Sequence, residues 1–199
     1  VRAVSSRAWL PDFVLAPEPS LSATLRALGI ERLVEAARFV HALPYGRNTD
    51  RTDYALVVAE RRGTCSTKHA LLAALAREHG VALSLRVGIY GMTEANTPGV
   101  GRVLRMHGFD AIPEAHCYLV HEGLRVDVTH PGTDGMCALA LEEEQEIAPE
   151  EIGERKLSIH RAKLAQWASA RGRSFDEAWR AREECIAALA GGCDSVAVP

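Results

Sequence analysis

The sequence predicts an α+β protein in which a helix packs on an antiparallel sheet and further helices are added at the C-terminal end. Three observations predict it. Leu71, Leu72 and Leu75 recur at helical spacing between Thr64, a residue type that caps helix N-termini, and Gly80, where a left-handed C-cap is expected. The period then changes, and the runs 82–90, 115–120 and 124–129 are rich in β-formers, the last two set about a turn at His121-Glu122-Gly123. Finally, residues 156–169 and 175–189 are amphipathic at the helical period.

Taken in order, residues 1–19 mix prolines with apolar side chains and read as an extended entry strand or arm. Leu21, Leu25, Leu28, Leu33, Ala37 and Val40 place helix over 20–42, with a break at Gly29. Pro44-Tyr45-Gly46-Arg47-Asn48-Thr49-Asp50 is a polar loop, and 54–60 is a short helix before the 64–80 helix. Residues 91–114 are glycine-rich and irregular, a long excursion expected to form a flap beside a site. The acidic run 141–151, with Glu142-Glu143-Glu144, reads as a solvated face. Ser174 and Glu177 form a capping box for the last helix, and Trp167, Phe175 and Trp179 are its apolar anchors. The tail from 191 reads as frayed. The expected division is a core over 1–140 with an N-terminal helical segment, and a helical extension over 141–199 packed on that core.

The chain has 199 residues, 47% of them apolar, enough to bury a core. Its net charge of −3 is mixed in sign, which argues against nucleic acid as a partner. No apolar run approaches a membrane span, and no signal-peptide pattern is seen, so neither a membrane partner nor export is expected. The chain begins at Val1, which leaves a longer precursor open. Five cysteines without scaffold-like spacing favour free thiols in a reducing, cytoplasmic setting. No CxxC pair is present, so neither a metal site nor a cofactor is expected.

Cys65 falls in the first turn of the 64–80 helix. There the unpaired N–H groups and the positive end of the dipole favour a thiolate and so a nucleophile. The hairpin supplies two further groups. With a two-residue turn at His121-Glu122, His116 sits opposite Asp127; with a four-residue loop over 121–124 the two are diagonal neighbours. Both registers put the imidazole and the carboxylate on one face, where Asp127 can orient His116 and leave its second nitrogen for a thiol. Cys117 alternates to the other face and is expected in the core, while Tyr118 shares the face of His116.

The run Gly63-Thr64-Cys65, the helix end over 71–81, the strand Arg86-Val87-Gly88, His116, and Val126-Asp127-Val128-Thr129-His130-Pro131 together resemble the core of the transglutaminase-like superfamily, within the papain-like cysteine enzymes. The resemblance covers roughly residues 54–131. It departs from the family at Cys117, Tyr118, Leu124 and Arg125, where tryptophans often flank the histidine and the aspartate. It implies a papain/transglutaminase-like fold and a catalytic triad of Cys65, His116 and Asp127 that works through a thioester. The substrate would be a peptide, protein or small amide; water as acceptor gives a peptidase or amidase, an amine gives transfer. The Cys65 N–H is one expected oxyanion donor, with Asn48 or Tyr45 as weaker candidates for a second.

Other residues carry alternatives. His69, at i+4 from Cys65, could pair with it and with His116 around a metal, although a surface histidine needs no such explanation. His107, His121 and His130 sit in turns, with His130 a possible cleft residue. Arg61, Arg62, Arg102 and Arg105 could meet a substrate carboxylate or simply be solvated. Cys137, Cys185 and Cys193 have no partner suggested by spacing, and Cys185 reads as core. Two competing functions are an acyl-CoA transferase resembling arylamine N-acetyltransferases, which share the order of the triad, and a binding module that keeps the fold without turnover. The oligomeric state is not legible.

Overall fold

A computed structural model describes residues 10–18 and 21–191. The first nine residues of the predicted entry arm, the start of the predicted first helix at Ser20 and most of the frayed tail lie outside the described residues. The elements in order are α1 (Leu21–Arg26), α2 (Leu33–Ala42), α3 (Leu56–Glu60), α4 (Cys65–Glu78), β1 (Ser84–Met92), α5 (Gly101–Met106), β2 (Ile112–His121), β3 (Leu124–Val126), β4 (Glu142–Glu146), a 3-10 turn (Pro149–Ile152), α6 (Glu154–Ser169) and α7 (Phe175–Gly191). The helices pack on a four-stranded antiparallel sheet of order β3-β2-β1-β4. The α+β class predicted from sequence is therefore present, with its thiol helix and its C-terminal helices.

The chain forms two compact units, each assembled from separate stretches. The first comprises the chain up to Arg86 with Cys117–Cys137 and Glu146–Ile152; the second comprises Val87–His116, Ala138–Gln145 and the chain from Gly153. This division runs through β1, β2 and β4.

The first unit is built on α4. Every residue from Cys65 to Ala76 is buried, so this helix is covered on all sides rather than along one stripe. α1, α2, α3 and the 3-10 turn all touch it. Both of its ends are closed as the sequence predicts. Thr64 and Thr67 exchange side-chain-to-backbone bonds at the N-terminus, a capping box with threonine at the third position. At the C-terminus Gly80 takes φ +65°, the Val81 N–H donates to Ala76 O at 2.9 Å and the Gly80 N–H to Arg77 O at 3.1 Å, a Schellman motif. Gly29, at φ +79°, ends α1 in the same manner and accounts for the predicted break. Glu78, from the last turn of α4, accepts from the Leu21 N–H and from the N–H and hydroxyl of Ser22, satisfying donors at the start of α1.

The hairpin of β2 and β3 pairs Leu119 with Val126, Val120 with Arg125 and His121 with Leu124. Its turn is Glu122-Gly123, both with positive φ (+48° and +78°), the geometry that matches strand twist. The register equals that of the predicted four-residue loop, with the end pair zipped shut. Cys117 and Tyr118 are both fully buried, so β2 is covered on both faces here.

The second unit has its own core of Tyr90, Met92, Val100, Leu104, Phe109, Ile112 and buried residues of α6 and α7. The excursion expected as a flap is instead part of this core: α5 lies within it, and Val100 and Leu104 are buried. The Glu94 carboxylate folds the segment by accepting from the N–H groups of Gly99 and Gly101. Glu114, on β2, is buried and forms a two-pronged ion pair with Arg182 of α7 at 2.6 and 2.7 Å. The Ser174–Glu177 capping box of α7 is present. Phe109 meets Trp167 edge-on and Phe175 stacks on Trp179, so the predicted anchors are packed. The acidic run contains β4, an edge strand on which Glu142, Glu143 and Glu146 are exposed and Glu144 is half-buried.

Candidate active site

Cys65 begins α4 and is 9% exposed, with its sulfur 3.9 Å from the Ser66 hydroxyl. The approach to it is tightly built. A Cβ on Gly63 would lie 2.9 Å from Lys68 Cγ and 3.0 Å from Thr67 Oγ1, so only glycine fits beside this turn. Gly63 also pairs with the preceding loop: its N–H donates to Pro44 O and its carbonyl accepts from Gly46, with Tyr45 bridged alongside.

Asn48 stands in that loop, nearly buried. Its amide nitrogen donates to Glu60 Oε2 and to Arg62 O, both at 3.1 Å, and its oxygen accepts from the Thr67 hydroxyl at 2.9 Å. Both amide hydrogens are thus engaged, and the side chain ties loop, α3 and α4 together. The hydrogen bond from the Thr49 hydroxyl, outweighing the cost of burial and joined by the Thr49 N–H, Asn48 and Arg62, lowers the Glu60 carboxyl to about 2. Tyr45, the other weak oxyanion candidate, stacks on His130 with ring centroids 5.1 Å apart.

Two polar residues of the first turns of α4 join it to the segment after β3. His69 is fully buried, not on the surface as expected. Its Nδ1 donates to Cys65 O at 2.6 Å, and its Nε2 accepts the Val128 N–H at 2.8 Å. Those partners assign the tautomer, so Nε2, 3.5 Å from Asp127 Oδ1, faces the carboxylate without a proton. Lys68 is also fully buried, and its Nζ donates to Leu43 O at 2.6 Å and Thr129 O at 2.8 Å. Burial lowers its pKa to about 8, against the opposing pull of Asp127 and Cys65.

Asp127 follows β3. Its N–H donates to Gly135 O, and its carboxylate accepts the Thr129 N–H at 2.9 Å. Asp127 lies one residue past the paired ladder, which ends at Leu119 opposite Val126. His116 is 8% exposed, with the Tyr90 ring edge-on at 6.2 Å. A carboxylate oxygen of Asp127 and the Cys137 sulfur lie within 4.8 Å of each other.

Sequence reasoning passed over Lys68 and gave His69 a surface position as its plainer reading. A signal for both was present: Cys65, Lys68, His69, Leu72 and Ala76 fall on one stripe of α4, so two polar residues interrupt an apolar face. The basic pair ahead of the cysteine is engaged elsewhere, with Arg61 over the Phe39 ring and Arg62 beside Glu60. His107 pairs with Glu184, and the His130 carbonyl accepts from His41. Cys185 is buried, as its helix position suggested, and its thiol is raised to about 11 by burial and by Glu114 and Glu184. Among the described residues Cys65, Cys117, Cys137 and Cys185 form no disulfide; Cys193 lies outside them. No helix among the described residues is long and apolar enough to cross a membrane.

No known family model, curated protein or solved structure matches this chain.

Proposed function

We propose that the chain is a thiol-dependent acyl transferase or amide hydrolase of the transglutaminase-like kind, with Cys65 as nucleophile, His116 as general acid and base, and Asp127 as the group that orients His116. The observation that carries this reading is the seating of a thiol at the capped N-terminus of α4, a helix bonded through Lys68 and His69 to the two residues that follow Asp127. The pairing of β2, which carries His116, with β3, which leads into Asp127, supports it.

In this mechanism the imidazole takes the thiol proton and the Cys65 sulfur attacks a substrate carbonyl carbon. The Cys65 backbone N–H stabilises the developing oxyanion. The tetrahedral intermediate collapses as the imidazolium of His116 protonates the departing amine, leaving a thioester. His116 then deprotonates water, which attacks the thioester and releases a carboxylic acid and the free thiol; an amine acceptor forms a new amide instead. The substrate is a peptide, protein or small amide. The setting is a reducing one, cytoplasmic in this reading, because the nucleophile must remain a thiol.

The test is intact-mass analysis of the protein incubated with an activated ester and with peptide amides. An acyl adduct mapped to Cys65, absent in Cys65→Ser and slowed about 100-fold or more in His116→Ala, is the expected result. An adduct formed from acetyl-CoA alone would favour the acyl-CoA transferase. Alkylation of Cys65 by iodoacetamide no faster than a model thiol between pH 5 and 7 would favour the binding module. Turnover should survive EDTA, since no step of this mechanism uses a metal; activity lost to the chelator would count against it.

A further inference from the structure

We propose that Lys68 is a positioning residue for the Cys65 thiolate: its buried ammonium, moored on backbone carbonyls, is the fixed positive charge that acts on both the sulfur and the Asp127 carboxylate. This rests on the reading of Cys65 as the nucleophile.

The geometry is that of a cation site filled by the chain's own side chain. Nζ has three carbonyl oxygens in reach: Leu43 at 2.6 Å, Thr129 at 2.8 Å and Val128 at 3.5 Å. Three acceptors match the three N–H bonds of an ammonium, whereas a neutral amine offers two. The stem is held as well, since Gly63 leaves room for Lys68 Cγ where any Cβ would stand at 2.9 Å. Leu43 caps α2, Lys68 belongs to the first turns of α4, and Thr129 follows Asp127. One charge therefore joins the end of α2, the first turns of α4 and the segment after β3.

Asp127, from the segment after β3, and Cys65, on its own helix, act electrostatically on this ammonium, and the Leu43 carbonyl meets it from the end of α2. Both groups favour the charged lysine, although burial, the largest influence, outweighs them and lowers its pKa to about 8. By linkage the lysine favours the ionised forms of both to the same degree. Bulk salt screens a buried charge little, so its effect persists at high ionic strength.

The experiment follows the iodoacetamide rate at Cys65 against pH in the full chain, in wild type and in Lys68→Gln and Lys68→Met, with circular dichroism as the check of folding. We expect both variants to react about tenfold more slowly than wild type at pH 6.5, the ratio given by a one-unit displacement of the profile, at low salt and in 0.5 M NaCl alike. A reciprocal measurement does not need those variants to fold. The chain has three lysines, Lys68, Lys156 and Lys163, so carbon-13 labelled lysine gives three resolvable side-chain titrations. In Cys65→Ser the midpoint of Lys68 should fall while the other two stay. A profile indifferent to Lys68 in folded variants, or a Lys68 midpoint indifferent to Cys65, overturns this proposal and leaves the nucleophile reading intact. A wild-type Cys65 that reacts like a model thiol defeats the nucleophile reading, and this proposal falls with it.

Discussion

His69 and His79 make the same use of an imidazole ten residues apart. Each donates from Nδ1 to the carbonyl one turn earlier, Cys65 or Leu75, and each accepts on Nε2 a backbone N–H from another segment, Val128 or Ala16. What differs is burial: His69 is fully buried and His79 is half-buried. Replacing His69 with leucine should therefore cost about 2 kcal/mol by stranding the Val128 N–H away from water, and His79→Leu clearly less; urea melts of the two variants give the comparison. Thr129 presents the opposite case. Its buried hydroxyl has no hydrogen-bond partner, so Thr129→Val is expected to leave the melting temperature unchanged or raise it. At this scale Cys65, His116 and Asp127 drew the eye because those residue types are conspicuous. The burial of Lys68 and His69 was not legible, because lysine and histidine on a helix are usually solvated and only the burial of α4 on every side reverses that expectation.

Among the elements, those announced by their ends were the ones that could be read. Thr64, Gly80, Gly29, Ser174 and Glu177 all act at the boundaries where sequence placed them, since caps depend on a few local atoms. Thr64→Ala should lower stability by about 1 kcal/mol in thermal unfolding. β4 and α5 were not legible. Four glutamates in five residues, with no apolar alternation, give β4 no strand signature, and its identity comes from pairing at the sheet edge. α5 has six residues, too few to show a period, and tertiary burial of Val100 and Leu104 holds it. The hairpin was legible but its turn was ambiguous, because Glu122 occupies a left-handed position where asparagine or glycine is the usual marker. Accordingly Glu122→Asn should stabilise the chain by about 0.5 kcal/mol without changing the register, a gain measurable by denaturant midpoint.

For the molecule as a whole, acid is the condition most exposed to its electrostatics. Burial opposes ionisation of Glu114, but Arg182 and His160 outweigh it and hold the carboxyl at about 2, below its ordinary 4.5. A folded-state pKa depressed in this way contributes stability that is complete above the unfolded value and is lost as pH falls from about 4.5 towards 2, on the order of 3 kcal/mol. Stability curves should drop through that window, and Glu114→Gln should flatten the drop while lowering stability at pH 7, because it leaves the Arg182 charge buried without its counter-ion.

The interleaving of the two compact units has a practical consequence. Each takes its residues from three separate stretches, and β1, β2 and β4 each pass from one unit to the other. No single scission of the polypeptide can release either unit as an intact fragment. Expressing 1–140 by itself deprives one unit of Glu146–Ile152 and the other of β4, α6 and α7, so genetic dissection of this protein has to proceed by point substitution or by permuting its termini, not by halving the gene.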